Sequence, residues 1–262
     1  MDKVASTQTL ARAGRCKAAS RFGMAVLAAA LGLAACATPN SNFTSVSSQI
    51  NVAEQFVRNG EYSQGYGIYD RVAERNSQSH KAFLELGDSY FRINAFLKAE
   101  TSYRKAIALG AREEGHIGLG RVGLAQNKPR DAEQAFQSAL QKNPSNIDAK
   151  NGLAVAYDLQ RQHSKAQAIY REILLVEPGH TKTLNNFALS MTLNGSPSLS
   201  KPLFAALTQS NPDNATIRQN LAITQYLSGE HQQAQRTASV DLSTAQANEN
   251  FRLLSRALVL AR

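Results

Sequence analysis

The 262-residue chain predicts an all-α solenoid of about six helix pairs closed by a carboxy-terminal capping helix. Three observations carry that expectation. Pro144, Pro178 and Pro212 stand 34 residues apart, and a fixed period of this length marks stacked supersecondary units. Small and aromatic residues recur in the same register as the prolines. No stretch is predicted to form a strand.

Setting the prolines at position 32 of a unit places repeat starts at Val46, His80, Glu113, Ile147, Thr181 and Ala215, spaced 34, 33, 34, 34 and 34 residues. Position 7 is always large and apolar: Val52, Leu86, Leu119, Leu153, Phe187 and Leu221. Position 8 is small (Ala53, Gly87, Gly120, Ala154, Ala188, Ala222), and so is position 20 (Gly65, Ala99, Ala132, Ala166, Ser200, Ala234). Position 24 holds Tyr69, Tyr103, Phe136, Tyr170 and Phe204, with Ala238 the exception. These positions resemble the signature of the tetratricopeptide repeat. The resemblance implies antiparallel helix pairs coiling into a right-handed superhelix.

The register has a physical logic. Small residues at positions 8 and 20 let the two backbones of a pair approach where they cross. The aromatic at 24 fills the space beside them, and position 7 plugs the groove towards the neighbouring unit. Ala166, Tyr170 and Ile173 follow i, i+4, i+7, one apolar face of a helix. The proline at 32 ends the second helix because it has no N–H to continue it. Asn59-Gly60, Asn194-Gly195 and Ser228-Gly229 read as the turns inside pairs, where glycine permits positive φ.

Ahead of the repeats, residues 1–35 read as a leader. Lys3, Arg12, Arg15, Lys17 and Arg21 precede a 14-residue apolar run from Phe22 to Ala35. A spanning helix needs about 20 such residues, whereas a basic start and a short apolar stretch suit a secretory signal. Leu33-Ala34-Ala35-Cys36 resembles a bacterial lipobox, which implies cleavage before Cys36 and acylation of its thiol. An ordinary signal or a buried amino-terminal helix is the alternative. With Ala37 rather than Asp after the cysteine, resemblance to enterobacterial sorting implies the outer membrane, the protein facing the periplasm. Residues 36–45, containing Pro39, read as a lipidated cysteine and flexible tether.

Charge follows the same division. Five of the 29 basic residues and one of the 20 acidic ones precede Cys36, so a chain starting there carries 24 against 19. A mild positive excess suits acidic partners or anionic surfaces, or simply a solvated surface. There is no long basic run, zinc-finger spacing or arginine-rich arm, which speaks against nucleic acid. The only cysteines are Cys16 and Cys36, so a chain cleaved there has no pair for an internal disulfide.

The six repeats together span residues 46–242 and depart from the pattern in three places. Position 4 never holds Trp, and Phe83 is its only aromatic. Pro197 and Pro202 fall early in the second helix of the fifth repeat, which should start late or kink. The sixth repeat decays after Ala234. Residues 243–262 then offer Ser243 before a periodic segment, the pattern of an N-capped terminal helix over the last apolar face.

Catalytic and metal chemistry find no foothold. His163 and His231 share position 17 at helix-pair turns, and His80 and His180 sit at repeat junctions, all places for solvated side chains. His116 has no cysteine or carboxylate pair at ligand spacing. No phosphate loop or nucleophile elbow is present, so neither an enzyme nor a cofactor is expected.

Binding is expected instead, in the groove that such superhelices line with the first helix of each pair. Positions 5 and 6 carry Asn51, Asn151, Asn185, Asn186, Gln219 and Asn220. An exposed amide offers donor and acceptor to the backbone of a bound strand. Arg121 at position 9 and Lys182 at position 2 could meet a carboxylate. The blander reading is that the amides solvate an exposed face.

The stretch Ile217–Asn250 resembles the end of TadD-type lipoproteins of tight-adherence (Flp) pilus systems, through Arg218-Gln219-Asn220-Leu221-Ala222, Asp241-Leu242 and Asn248-Glu249-Asn250, followed by Phe251. The resemblance implies a lipid-anchored outer-membrane scaffold that helps a secretin assemble or localise. Other tetratricopeptide lipoproteins of the envelope are the alternative: an adaptor for peptidoglycan enzymes or a type IV pilus pilotin.

Overall fold

The computed structural model describes residues 45–259, which form thirteen α-helices and no strand. The expected leader, the lipidation site Cys36 and the tether up to residue 44 lie outside the described residues. Six antiparallel pairs follow in chain order: α1 (Val46–Arg58) with α2 (Tyr62–Arg75), α3 (His80–Arg92) with α4 (Phe96–Ala108), and α5 (Arg112–Ala125) with α6 (Pro129–Leu140). Next come α7 (Ile147–Leu159) with α8 (His163–Val176), α9 (Thr181–Leu193) with α10 (Pro197–Ser210), and α11 (Ala215–Leu227) with the short α12 (His231–Ala238). A thirteenth helix, α13 (Thr244–Val259), closes the end.

Helix starts follow local chemistry. Ser45, Ser79, Asn146, His180 and Asn214 each cap the first helix of a pair, accepting the N–H three residues on. Such a cap satisfies a donor the helix leaves orphaned. His180 is thus a cap, with Nδ1 also 2.6 Å from the Thr183 hydroxyl. The exception is α5, which begins one residue early on an uncapped Ala111, with Glu113 and Glu114 in its first turn. The chain before it turns at Gly110, φ +109°. That turn is where the 33-residue interval falls.

Within pairs, every turn places one residue in the left-handed region at the same repeat position: Gly60, Asn94, Asn127, Arg161, Gly195 and Gly229. Three are the glycines the sequence marks; Asn94, Asn127 and Arg161 adopt the same conformation without glycine. Asparagine tolerates it readily and arginine less so.

The interior is a ladder of rings between small residues. Tyr69, Tyr103, Phe136, Tyr170 and Phe204 are essentially sealed from solvent, as are Ala99, Ala132, Ala166, Ser200 and Ala234. A Cβ on Gly87 would lie 2.6 Å from the Tyr103 ring, and one on Gly118 2.4 Å. Tyr103 is therefore clamped between its own repeat and the next. Phe136 is held the same way by Gly120 and Gly152.

Two expectations need correction. Val52 is 48% exposed, although Leu86, Leu153 and Leu221 at the same repeat position are buried. The later side chains meet a preceding unit, and no described helix precedes α1. In α10 there is no late start: Pro197 takes the first helical position, where its fixed φ suits a helix and no N–H is required. Pro202 lies inside the helix on the exposed side, so the carbonyl it leaves without a donor can face water.

Where Ala238 replaces the aromatic, α13 makes up the deficit. Phe251 stacks on Tyr226 at 4.5 Å and 2°, in a cluster with Ala222, Ala234, Ala238 and Ala247. Ser243 caps α13 and bonds back to Gln246, a reciprocal cap. The terminal helix therefore covers the last apolar face, as the sequence predicts.

The first helices of successive repeats touch one another, α1 with α3 and onwards to α9 with α11, whereas the second helices hardly meet. The stack therefore curves with α1, α3, α5, α7, α9 and α11 on its inner face.

Candidate partner-binding site

The inner face changes character along the stack. On α1 and α3 it is ion-paired. Glu54, buried, accepts from Arg58 at 2.7 Å, Arg92 at 2.9 Å and the Ser89 hydroxyl at 3.0 Å. Burial alone would push this carboxyl up, but the bonds from Arg92, Arg58 and Ser89 prevail and hold it at about 2. Asp88 accepts from the Tyr103 hydroxyl at 2.7 Å and from Arg121 of α5 at 3.0 Å.

From α7 onwards the same positions are aliphatic. Asn151, Val155 and Leu159 succeed one another at four-residue intervals, so they share one face of α7. Asn185, Leu189 and Leu193 repeat the pattern on α9, and Gln219, Ile223 and Leu227 on α11. Leu159 is 49% and Leu193 39% exposed, while Val155, Leu189 and Ile223 are half-buried.

A pocket of about 460 Å³ sits where the two characters meet. Ile117 and Arg121 of α5, Asp148, Asn151 and Val155 of α7, and Lys182 and Asn186 of α9 wall it, with the Phe136 ring below. Four residues singled out by sequence thus come together: Arg121, Asn151, Lys182 and Asn186. Asn185, Gln219 and Asn220 do not line it, and Asn51 lies exposed on α1.

The amides are less free than an exposed row would be. Asn220 donates to Asn185 at 2.9 Å, Asn185 to Asn186 at 3.2 Å, Asn186 to Asn151 at 2.9 Å, and Asn151 to the Thr183 hydroxyl at 2.7 Å. Asn151 is fully buried, and Asn185 and Asn220 nearly so. The expectation of an exposed amide is therefore corrected for Asn220: position 6 of one repeat meets position 5 of the preceding repeat, 35 residues away, and the amides satisfy each other. Gln219 instead donates to the Ala238 carbonyl at 3.1 Å and the Asp241 carboxylate at 2.9 Å.

The two cations already meet carboxylates of this chain. Lys182 donates to Asp148 at 2.8 Å, both well exposed, and this bond holds the Asp148 carboxyl below its usual range against the opposing pull of burial. Arg121, beyond its bond to Asp88, lies 4.6 Å above the Phe91 ring. Asp148 and Val155 escaped sequence reasoning, although they occupy repeat positions 2 and 9, the same positions that singled out Lys182 and Arg121.

Among the described residues, no group of three His, Cys, Asp or Glu side chains is placed to hold a metal ion. No described helix is long and apolar enough to cross a membrane.

Comparison with known proteins supports the repeat reading. Tetratricopeptide-repeat models match residues 53–114 and 123–182. Tetratricopeptide repeat protein 16 of Macaca fascicularis is 28% identical over 95 residues, covering 33% of this chain and 11% of its own. The uncharacterised protein y4yS of Sinorhizobium fredii is 36% identical over 58 residues, 22% of this chain and 32% of its own. The chain thus spans about a tenth to a third of the length of these curated relatives.

Among solved structures, a tetratricopeptide repeat protein from Parabacteroides merdae superposes with TM-score 0.66 at 14% identity, covering 82% of this chain and 85% of that one. PilW, a type IV pilus biogenesis factor, gives 0.62 at 17% identity over 78% and 98%. PilF of Pseudomonas aeruginosa gives 0.54 at 16% over 70% and 86%. The fold is that of the tetratricopeptide-repeat superhelix.

Proposed function

We propose that this chain is a non-catalytic docking scaffold of the bacterial envelope, anchored to the outer membrane through lipid on Cys36 and holding a partner-protein segment on its inner face. One observation carries the docking half: the pocket between α5, α7 and α9 opens beside an aliphatic strip. A segment lying across α7, α9 and α11 would set apolar side chains on Val155, Leu159, Leu189 and Leu193. Its polar flank would face Arg121, Asp148 and Lys182. Burying apolar area at about 25 cal/mol per Å² favours such capture, and the charged rim orients it.

The partner supported best is an outer-membrane secretin of a tight-adherence pilus. That choice rests on the lipobox-like Leu33–Cys36 and on the resemblance of Ile217–Asn250 to TadD-type lipoproteins. A second reading, a role in type IV pilus biogenesis, draws on the likeness in fold to PilW and PilF.

Deleting the gene tests the assignment. Loss of surface Flp pili and of secretin multimers is the expected result. Loss of twitching pili with Flp pili intact would favour the second reading. Normal pili of both kinds with altered wall cross-linking would overturn both in favour of a peptidoglycan adaptor.

A further inference from the structure

The short α12 leaves an open cleft at the carboxy-terminal end of the stack, about 770 Å³ in volume. It shares no lining residue with the inner-face pocket. Its floor is the stacked pair Tyr226 and Phe251. Its walls carry Arg236 from α12 and Arg252 and Arg256 from α13, all three exposed. Arg252 is bonded to Glu249 at 2.5 and 2.7 Å. Arg236 and Arg256 have no ion pair among the described residues. Nearby acids are engaged elsewhere: Asp241 with Arg218, and Glu230 with Lys201.

Three guanidinium groups thus face one carboxylate around an aromatic floor. On the inner face, by contrast, Arg58, Arg92 and Arg121 are matched to Glu54 and Asp88. Guanidinium forks bind carboxylates in two-point fashion, and an aromatic floor offers apolar contact between the charges. We propose that the cleft between α12 and α13, walled by Arg236, Arg252 and Arg256 over Tyr226 and Phe251, docks an acidic segment of a partner protein. The partner's carboxylates engage Arg236 and Arg256 and compete with Glu249 for Arg252. An apolar side chain between them rests on the stacked rings. This contact is independent of the inner-face groove and would give one partner a second hold, or a second partner its own.

The test uses the full chain and a fluorescein-labelled synthetic peptide of Glu and Asp around a single Leu, read by fluorescence anisotropy. Binding that weakens as salt rises is expected, since the attraction is screened. Arg236→Glu with Arg256→Glu should weaken it by about tenfold, equivalent to about 1.4 kcal/mol. Glu249→Gln, which releases Arg252, should tighten it. The opposite signs keep the proposal testable even if the double variant disturbs α13, which its far-UV spectrum and melt would reveal. Binding unaffected by either change overturns the proposal. So does arginine-dependent binding to phosphatidylglycerol vesicles with none to the peptide, which would make the cleft a membrane contact. An uncharged peptide of the same length binding equally well overturns it too.

Discussion

Asn186 donates to Asn151 at 2.9 Å across the boundary between the fourth and fifth repeats, and Asn151 in turn donates to Thr183 at 2.7 Å. The amides that look like a binding row are therefore first of all a seam between repeats. Removing a buried partner strands the others, at a cost of about 1–3 kcal/mol. Asn151→Ala should lower unfolding stability by that much. The double variant with Asn186→Ala should cost less than the sum of the two single changes, because both act on one bond. Urea titrations of the four proteins measure the coupling; strict additivity would mean the seam contributes nothing.

The aromatic clamp predicts that adding one methyl group is harmful. Gly152→Ala places a Cβ 2.3 Å from the Phe136 ring. The change raises helix propensity by about 1 kcal/mol, so an isolated helix would gain. Here overpacking should prevail and destabilise by about 1–3 kcal/mol. Ala166→Leu, at a fully buried crossing point, should behave likewise. A melting temperature that does not fall in either variant would contradict the packing described.

Gly195 tests the turns. Its φ of +83° lies in the left-handed region, and nothing lies within 4 Å of where a Cβ would stand. Gly195→Ala therefore changes backbone strain alone, and should cost about 1 kcal/mol. Gly195→Asn should cost less, since Asn94 and Asn127 already hold the equivalent conformation. Equal losses from both substitutions would contradict this.

Glu54 gives the fold a defined acid sensitivity. Its carboxyl is held at about 2 against an ordinary 4.5. A depressed carboxylate stabilises the fold above the ordinary value, and that contribution disappears as pH falls through the folded value. Between pH 5 and 2 the loss should be on the order of 2–3 kcal/mol. Glu54→Gln should lower stability at pH 7 and flatten its dependence over that interval. A variant with the same acid slope as the parent would show that the Arg58, Arg92 and Ser89 bonds are not its source.

The anchor is tested separately. Cys36→Ser removes the thiol at the lipobox position, so the variant should accumulate unprocessed or leave the membrane fraction. Fractionation with membranes as before would contradict lipid anchoring at Cys36.

Much of the fold was legible because its rules repeat. Prolines, small residues and rings recur at one interval, so five of the six repeat starts coincide with helix starts, and the sixth falls one residue into α5. The binding surface was only partly legible. Arg121 and Lys182 do reach one pocket with Asn151 and Asn186. The burial of Asn151 and Asn220 was hidden because helical spacing shows which residues share a face, not how deeply a neighbouring repeat covers it. A clue was present: Asn151 and Asn186, like Asn185 and Asn220, lie 35 residues apart, position 5 of one repeat against position 6 of the next. The aliphatic strip went unread because Val155, Leu189 and Ile223 resemble core residues until their half-exposed setting is seen. The carboxy-terminal cleft was hidden too, since it depends on α12 ending at Ala238 and on Phe251 returning from α13.

The most direct test of the docking surface is site-specific photo-crosslinking in cells. A photoreactive phenylalanine analogue replaces Val155 on the inner face or, as the comparison, Leu175, which is 82% exposed on α8 of the outer layer. The account predicts a discrete adduct from position 155 that contains the secretin and is absent from position 175. An adduct from position 175 with none from 155 would show that the partner docks elsewhere.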